Sequence, residues 1–279
     1  MKLVTSNMGC AWANSPFRRT HDTAWDRLLA LAADIVLVQE AHPPRDVLAA
    51  GYLNVVDRTP NWGTAILIRA DRACRPVTVE PHSVLERFGM YITAAWVEVC
   101  GAETLVASVH ATIGGAAHWV HDIELEPSDF SSLKPEGNVW KQELAVLELS
   151  RLAGDAPLIV GGDWNSSRLL SQRSSDPGWH DRWCERLAAR DWVETFDRLH
   201  ENTDPRPPEP RTWFRTGNGF YQLDHIFMSR VLVDDVTDCT ALTSFAEEGL
   251  SDHAPLVVKL PERHLARMPG DRVGAASAV

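Results

Sequence analysis

Residues 158–165 read Leu-Ile-Val-Gly-Gly-Asp-Trp-Asn. Leu158 to Val160 is a short apolar, β-branched run of the kind that forms a buried strand, and it leads directly to Asp163 and Asn165, side chains able to bind metal or phosphate. Taken alone, an Asp after a strand is a turn or helix-capping residue, and Gly161-Gly162 is a tight turn. The other reading is a strand end built for a ligand, with two glycines letting backbone approach closely and Asn165 standing beside Asp163. The rest of the chain weighs between the two.

The pattern recurs. Lys2 to Asn7 reads as a strand ending in Asn7, Ile35 to Gln39 is a continuous apolar strand followed by Glu40, and Thr104 to Val109 is followed by His110. Asp224 precedes the strand Ile226 to Met228, and Ser251-Asp252-His253 precedes Leu256 to Val258. Thr64 to Arg69 and Tyr91 to Val99 are further strands. Asp22 to Ala33 places Trp25, Leu28, Leu29 and Ala32 on one helical face, and a second helix is expected from Asn138, a good N-cap, through Trp140, Leu144 and Leu147 to Gly154. Buried strands alternating with amphipathic helices predict a mixed α/β architecture. Strands laid side by side would bring their polar ends to one edge.

The chain has 279 residues, 44% hydrophobic and 23% charged, enough for a well-buried core. No repeat or linker divides it, so one domain over residues 1–260 is expected, with a basic, small-residue tail at 261–279 that frays. Residues 111–137 read as a long loop, and the proline-rich stretch 203–211 as an exposed, semi-rigid connection. With 27 Lys+Arg against 38 Asp+Glu the net charge is −11. Binding driven by counterion release needs a cationic face, so this total argues against gripping a long polyanion along an extended surface. The five cysteines are scattered without a Cys-x-x-Cys pair, which argues against a disulfide framework or a zinc site. No apolar run reaches membrane-spanning length, and the N-terminus lacks a signal-peptide pattern, so a cytoplasmic protein is expected.

The segments Thr5-Ser-Asn7, Leu37-Val-Gln-Glu40, Ser108-Val-His110, Gly161-Gly-Asp-Trp-Asn165, Gln222-Leu-Asp-His225 and Leu250-Ser-Asp-His253 together resemble the endonuclease/exonuclease/phosphatase superfamily, in the order that family uses. The superfamily holds deoxyribonuclease-type nucleases, neutral sphingomyelinases, inositol polyphosphate phosphatases and deadenylases. The resemblance implies a four-layer α/β sandwich, two packed mixed β-sheets flanked by helices, and a Mg²⁺- or Mn²⁺-dependent phosphoester hydrolase. It implies Glu40 as principal metal ligand with Asn7 and Asp252 near the metal. Asp163 would position or deprotonate the attacking water, and Asn165 would donate to the phosphate. His253, oriented by Asp224, and His110 would be imidazoles at the phosphate. Oxygen ligands suit Mg²⁺ or Mn²⁺, and a hard cation, in-line water and imidazoles need no covalent nucleophile.

Substrate is less defined. His110 is similar to the His of the deoxyribonuclease and sphingomyelinase branches, where abasic-site nucleases carry Tyr. Gly9 stands where the latter have Asp, and His42 where the former have an Arg that enters the DNA groove. A phosphodiesterase acting on DNA or RNA, a phosphatase or phospholipase C-type hydrolase of a small headgroup, and a non-catalytic module on the same fold are the alternatives. Arg215 and Trp213 would hold substrate phosphate and stack a base or sugar, or else form an edge strand with a buried Trp. His118 and His121 have helical metal-ligand spacing but no third partner. Trp12, Trp62 and Trp164 adjoin motif positions, as pocket walls or as core.

Overall fold

The computed structural model describes residues 1–10, 15–56, 63–81, 83–87, 91–111, 141–172, 178–215 and 219–261. One six-stranded sheet holds β1 (Lys2–Asn7), β2 (Ile35–Gln39), β3 (Tyr52–Val56), β4 (Thr64–Arg69), β13 (Asp238–Ala241) and β14 (Leu256–Lys259), in the order β13-β14-β1-β2-β4-β3. The other holds β5 (Cys74–Pro76), β6 (Ile92–Val99), β7 (Ala102–His110), β8 (Leu158–Asp163), β9 (Trp192–Glu194) and β12 (Asp224–Ser229), in the order β5-β6-β7-β8-β12-β9. A small hairpin of β10 (Trp213–Arg215) and β11 (Gly219–Tyr221) stands apart from both. The helices are α1 (His21–Leu29), α2 (Val84–Arg87), α3 (Lys141–Ala153), α4 (Arg168–Gln172), α5 (Trp179–Ala189), α6 (Thr195–Leu199), α7 (Arg230–Val233) and α8 (Ser244–Glu247), with a 3₁₀ turn at Pro16–Arg19.

The continuous apolar strands follow from burial on both faces. In β2, Ile35 and Leu37 enter the core between the sheets with Leu3, Val106, Ile159 and Ile226, while Val36 and Val38 join Trp25 and Leu28 of α1 on the outer face. The second sheet's outer face packs Leu105, Ala107 and Val160 against Leu144 and Leu149 of α3 and Trp183 and Leu187 of α5. The resulting layers are helix, sheet, sheet, helix, the expected sandwich. Trp164 lies wholly in that outer core, its ring 5.4 Å from Trp183 and 5.5 Å from Phe227, and so is no pocket wall.

Register brings the polar ends together. β1 and β2 run parallel with Asn7 opposite Gln39, and β7 and β8 run parallel with His110 opposite Asp163. β12 runs antiparallel to β8 with Asp224 opposite Asp163. β14 is antiparallel to β1 with Leu256 opposite Thr5, which sets the preceding residues 251–253 at the same edge. Beneath that edge a polar stitch joins the sheets: Gln39 Nε2 donates to Ser108 Oγ at 2.9 Å, and Ser108 Oγ to the Val38 carbonyl at 2.9 Å.

Several sequence expectations shift. His110 and Asp163 are the last residues of their strands and Asp224 the first of its strand, where the sequence placed the first two after a strand and the third before one. Helix α1 stops at Leu29, because Ala32 turns to φ 49° and the chain folds back so that the Tyr52 hydroxyl reaches the Ala33 carbonyl at 2.8 Å. Gly154 ends α3 at φ 55°, as its sequence suggested. A Cβ on Gly162 would lie 1.7 Å from the Val109 carbonyl oxygen, and one on Gly161 would lie 2.6 Å from Leu37 Cδ1. These glycines therefore serve strand and sheet packing, not approach to a ligand. Stretch 203–211 is irregular and mostly exposed, yet Glu209 is pinned by Arg168 at 3.3 Å, which also pairs with Asp181 and Asp197. The expected loop beyond residue 111, the helix start at Asn138 and Trp140, the tail after residue 261, and Trp12, Trp62, His118 and His121 lie outside the described residues.

Candidate active site

Glu40 follows β2 with φ 55°, in the left-handed region where a side chain with a Cβ is strained. The main chain holds it there: β1 and β2 continue pairing past their ends, with Met8 N–H on the Gln39 carbonyl and Cys10 N–H on the Glu40 carbonyl, both at 3.0 Å. Glu40 Oε1 lies 3.3 Å from His110 Nε2, which is itself 3.7 Å from Asp163 Oδ2. Donor atoms of Glu40, His110 and Asp163 all fall within 4.8 Å of one another, the spacing of a shared cation. His110 and Asp163 are buried and Glu40 is half-buried.

Asn7 sits between the carboxylates, its Nδ2 donating to Glu40 Oε1 at 3.2 Å and Asp163 Oδ2 at 3.1 Å. Its Oδ1 accepts from Gly9 N–H at 2.9 Å, and since an N–H only donates, the amide is fixed with oxygen turned toward Gly9. Asp252 is half-buried beside Gly9, whose built Cβ would come 3.1 Å from Asp252 Oδ1. Asn165 takes the left-handed conformation, φ 49°, with its N–H on Asp163 Oδ1 at 2.9 Å and its Nδ2 on the Ala111 carbonyl at 3.2 Å. One of its two amide hydrogens is thus committed to backbone.

On the far side of Asp163, His253 Nε2 lies 3.9 Å from Asp163 Oδ2, and His253 Nδ1 lies 2.8 Å from Asp224 Oδ2. Burial alone would favour neutral His253, but the Asp224 carboxylate and hydrogen bond, with Asp163 and Asp252, push its pKa up to about 10. Burial also raises the Asp163 carboxyl above its usual range, tempered by His253 and augmented by Asp224. The arrangement therefore offers a donor imidazolium beside a basic carboxylate.

Trp213 is half-buried, stacked on Tyr221 at 5.5 Å, and its backbone bridges to His253. Phe214 N–H donates to the Asp252 carbonyl at 2.9 Å, so the β10–β11 hairpin borders the site. Arg215 continues the hairpin opposite Gly219; its side chain lies outside the described residues. His225 received no role from the sequence. Its Nε2 lies 2.8 Å from the Ser166 carbonyl and 3.1 Å from that of Gln222, both acceptors only, so Nε2 carries a proton. Its Nδ1 lies 3.4 Å from Glu194 Oε1. This one buried imidazole ties the loop after β8 to the loop before β12. The signal was present in Gln222-Leu-Asp-His225, but Glu194 comes from a distant short strand.

The fold has solved counterparts. An AP endonuclease from Leishmania major superposes with TM-score 0.62 at 14% identity, over 95% of this chain and 88% of that one. The 3′ phosphatase NExo from Neisseria, solved with a product DNA hairpin, gives TM-score 0.63 at 18% identity, over 94% and 99% of the two chains. The Xenopus laevis APE2 catalytic domain gives 0.60 at 16% identity, over 93% and 91%. No curated protein matches by sequence comparison. No described helix is long and apolar enough to cross a membrane. The model of the Endonuclease/Exonuclease/phosphatase family matches residues 4–253, nearly the whole chain and all six motif segments, and the chain belongs to that family of phosphoester hydrolases.

Proposed function

We propose that the protein is a Mg²⁺- or Mn²⁺-dependent phosphodiesterase that cleaves a P–O bond by in-line attack of water, with DNA or RNA as the substrate class. One observation carries the reading: Glu40, His110 and Asp163 present donor atoms within 4.8 Å of one another, directly beside an imidazole held by a buried carboxylate.

The donor set fits a divalent cation. Two carboxylates and an imidazole converge, with Glu40 on the open side, and hard oxygen donors favour Mg²⁺ or Mn²⁺. Glu40 would hold the ion, with Asp252 near; Asn7 keeps the Glu40 and Asp163 carboxylates in place through its nitrogen, and would have to rotate to offer oxygen. When bound, the cation would polarise the phosphate and offset its charge. Asp163, its basicity raised by burial, accepts the proton of the attacking water. His253 donates Nε2–H to a phosphate oxygen as negative charge develops, while Asp224 keeps its ring charged and oriented. His110 and the second amide hydrogen of Asn165 flank the same oxygens. Trp213 and Arg215, on the bordering hairpin, are proposed to contact substrate beyond the scissile group.

The deciding experiment assays purified protein with Mg²⁺, Mn²⁺ or EDTA against bis-p-nitrophenyl phosphate, p-nitrophenyl phosphate, sphingomyelin, RNA, and single- and double-stranded DNA. Diester cleavage that EDTA silences and Mg²⁺ or Mn²⁺ restores is expected. Full activity in EDTA, or no cleavage of any diester, would refute the reading.

A further inference from the structure

Asn165 stands at φ 49° in the loop after β8, and the peptide that leads into it has both of its polar groups engaged. Its N–H, on Asn165, donates to Asp163 Oδ1 at 2.9 Å, and its carbonyl, on Trp164, accepts from Gln142 Nε2 at 2.9 Å. In a planar trans peptide the two groups point in opposite directions, so Gln142 grips one edge of a plate whose other edge holds the Asp163 carboxylate. Rotating that plate breaks both bonds at once. Asp163 Oδ1 is thereby tied to backbone, which leaves Oδ2 to face Asn7 Nδ2, His110 and His253.

Gln142 reaches this loop from the first turn of α3, 22 residues earlier in the chain, and is buried. Because a carbonyl only accepts, the amide is oriented with its nitrogen toward Trp164. That bond is the side chain's one hydrogen bond among the described residues, where Oε1 finds no partner. A half-satisfied buried amide is a costly way to fill space in a helix whose buried neighbours are Leu144, Ala145 and Leu149, and a methionine of the same length would pack there without that cost. What the glutamine adds is the hold on the loop. Trp164 cannot orient its own peptide, since its wholly buried indole is held by packing and Nε1 has no hydrogen-bond partner among the described residues. The Trp164 N–H, on the Leu223 carbonyl at 2.8 Å, pins the peptide before, and His225 Nε2, at 2.8 Å from the Ser166 carbonyl, pins the loop beyond. Gln142 supplies the hold between them.

We infer that Gln142 is a positioning residue for the hydrolysis: through the Trp164–Asn165 peptide it aims the Asp163 carboxylate and keeps Asn165 in its left-handed conformation, without touching substrate. The inference rests on the phosphodiesterase reading, in which Asp163 accepts the proton of the attacking water and Asn165 donates to the phosphate. Misaiming these groups disturbs the reacting geometry and not the affinity for substrate, so the effect falls on kcat.

The test is Gln142→Met, which keeps length and volume but removes the donor, beside Leu144→Met as a control for altered packing of the same helix. With bis-p-nitrophenyl phosphate and Mg²⁺ or Mn²⁺, Gln142→Met is expected to lose about 10–100-fold in kcat, the scale for groups that orient a site from behind, with KM little changed. Leu144→Met should stay near wild type in both. Hydrogen exchange followed by NMR reads the peptide directly: the Asn165 amide should exchange about tenfold faster in Gln142→Met than in the wild type or Leu144→Met. Wild-type kcat in Gln142→Met, a change confined to KM, or an equal loss in Leu144→Met would overturn the role. If Gln142→Met does not fold, Gln142→Glu, which keeps the arm and trades the donor for an acceptor, takes its place. Collapse of both while Leu144→Met stays folded would show Gln142 to be structural and overturn the inference too. If the wild type cleaves no diester, the functional reading fails first, and the Asn165 amide decides alone. Faster exchange in folded Gln142→Met then upholds the hold on the peptide, and equal exchange removes it.

Discussion

His253 Nδ1 lies 2.8 Å from Asp224 Oδ2, and Asp224 has no exposed surface. The pair is held by main chain on both sides. Thr212 Oγ1 accepts the Leu223 and Asp224 N–H groups at 2.9 and 3.0 Å, while Ser251 Oγ accepts His253 N–H at 3.0 Å and donates to the Asn7 carbonyl at 2.8 Å. The ring is thereby fixed between Asp224 and Asp163, and only its charge is free to change. Asp224→Asn keeps the shape and an acceptor but removes the charge that sustains the imidazolium. We expect kcat to fall about 10²–10⁴-fold, the range for loss of a positioned proton donor, with KM little changed and a native far-ultraviolet spectrum. A folded Asp224→Asn enzyme with near wild-type kcat would exclude the pair from the chemistry.

Gly162 tests the packing that makes this edge. Its position in β8 is directly opposite Val109 of β7, and any Cβ there would sit 1.7 Å from the Val109 carbonyl oxygen, which is backbone and cannot rotate away. Gly162→Ala must separate β7 from β8 where His110 and Asp163 stand in register. The expected cost is upward of about 3 kcal/mol, beyond ordinary overpacking, read as a large drop in Tm or loss of soluble protein. Gly249, at φ 67° with nothing near its Cβ direction, provides the contrast. Gly249→Ala should cost only about 1–2 kcal/mol of backbone strain.

Much of this was legible beforehand because burial on two faces writes itself into sequence: Ile35 to Val38 is apolar without a break because alternate residues enter different cores. Polar residues at the ends of such runs stood out against them, which is why Glu40, His110, Asp163 and His253 could be named. What did not show was pairing. The strands Cys74–Pro76, Trp192–Glu194 and Asp238–Ala241 are too short to carry a period, and the first holds a proline tolerated because it lies at a sheet edge. Nor does local sequence reveal that Asn7 turns its oxygen to Gly9, or that Glu194 meets His225 from 31 residues away. Those facts follow from register, which residues distant in sequence decide jointly.

A pH dependence of stability is set at the opposite end of the sheet. Asp34 accepts Lys2 N–H at 2.6 Å and Arg72 Nη2 at 2.8 Å, with Arg69 Nη1 at 3.8 Å. Burial works to raise its pKa, but Arg72 and the Lys2 amide outweigh it and hold the carboxyl below its ordinary range. A depressed folded pKa stabilises above the unfolded value of about 3.9 and loses that contribution as pH falls through the folded value. Asp34→Asn should therefore lower stability at pH 7 by about 1.5–3 kcal/mol, as for hydrogen bonds to a charged group. The deficit should begin to shrink below about pH 4, where Asp34 of the unfolded chain takes up its proton, and vanish only at lower pH, once the folded carboxyl is protonated too. Thermal melts of both proteins between pH 3 and 7 measure this, and parallel curves would contradict it.

Glu40 combines two costs in one residue: a non-glycine side chain at φ 55° and a carboxylate facing Asp163 across Asn7. A left-handed conformation costs an L-residue about 1–2 kcal/mol, and asparagine tolerates it better than glutamate. The proposed function needs the long carboxylate there, so stability has been conceded to position it. Glu40→Asn shortens the arm, removes the charge and relaxes the backbone. Its Tm should equal or exceed that of the wild type by a few degrees, at about 2–4 °C per kcal/mol for a chain near this size. Diester hydrolysis should fall about 10²-fold or more and not recover with added Mg²⁺ or Mn²⁺, since the ligand itself is gone. Differential scanning calorimetry and a metal titration on the same preparation report both. A variant that melts lower yet retains activity would show Glu40 to be structural.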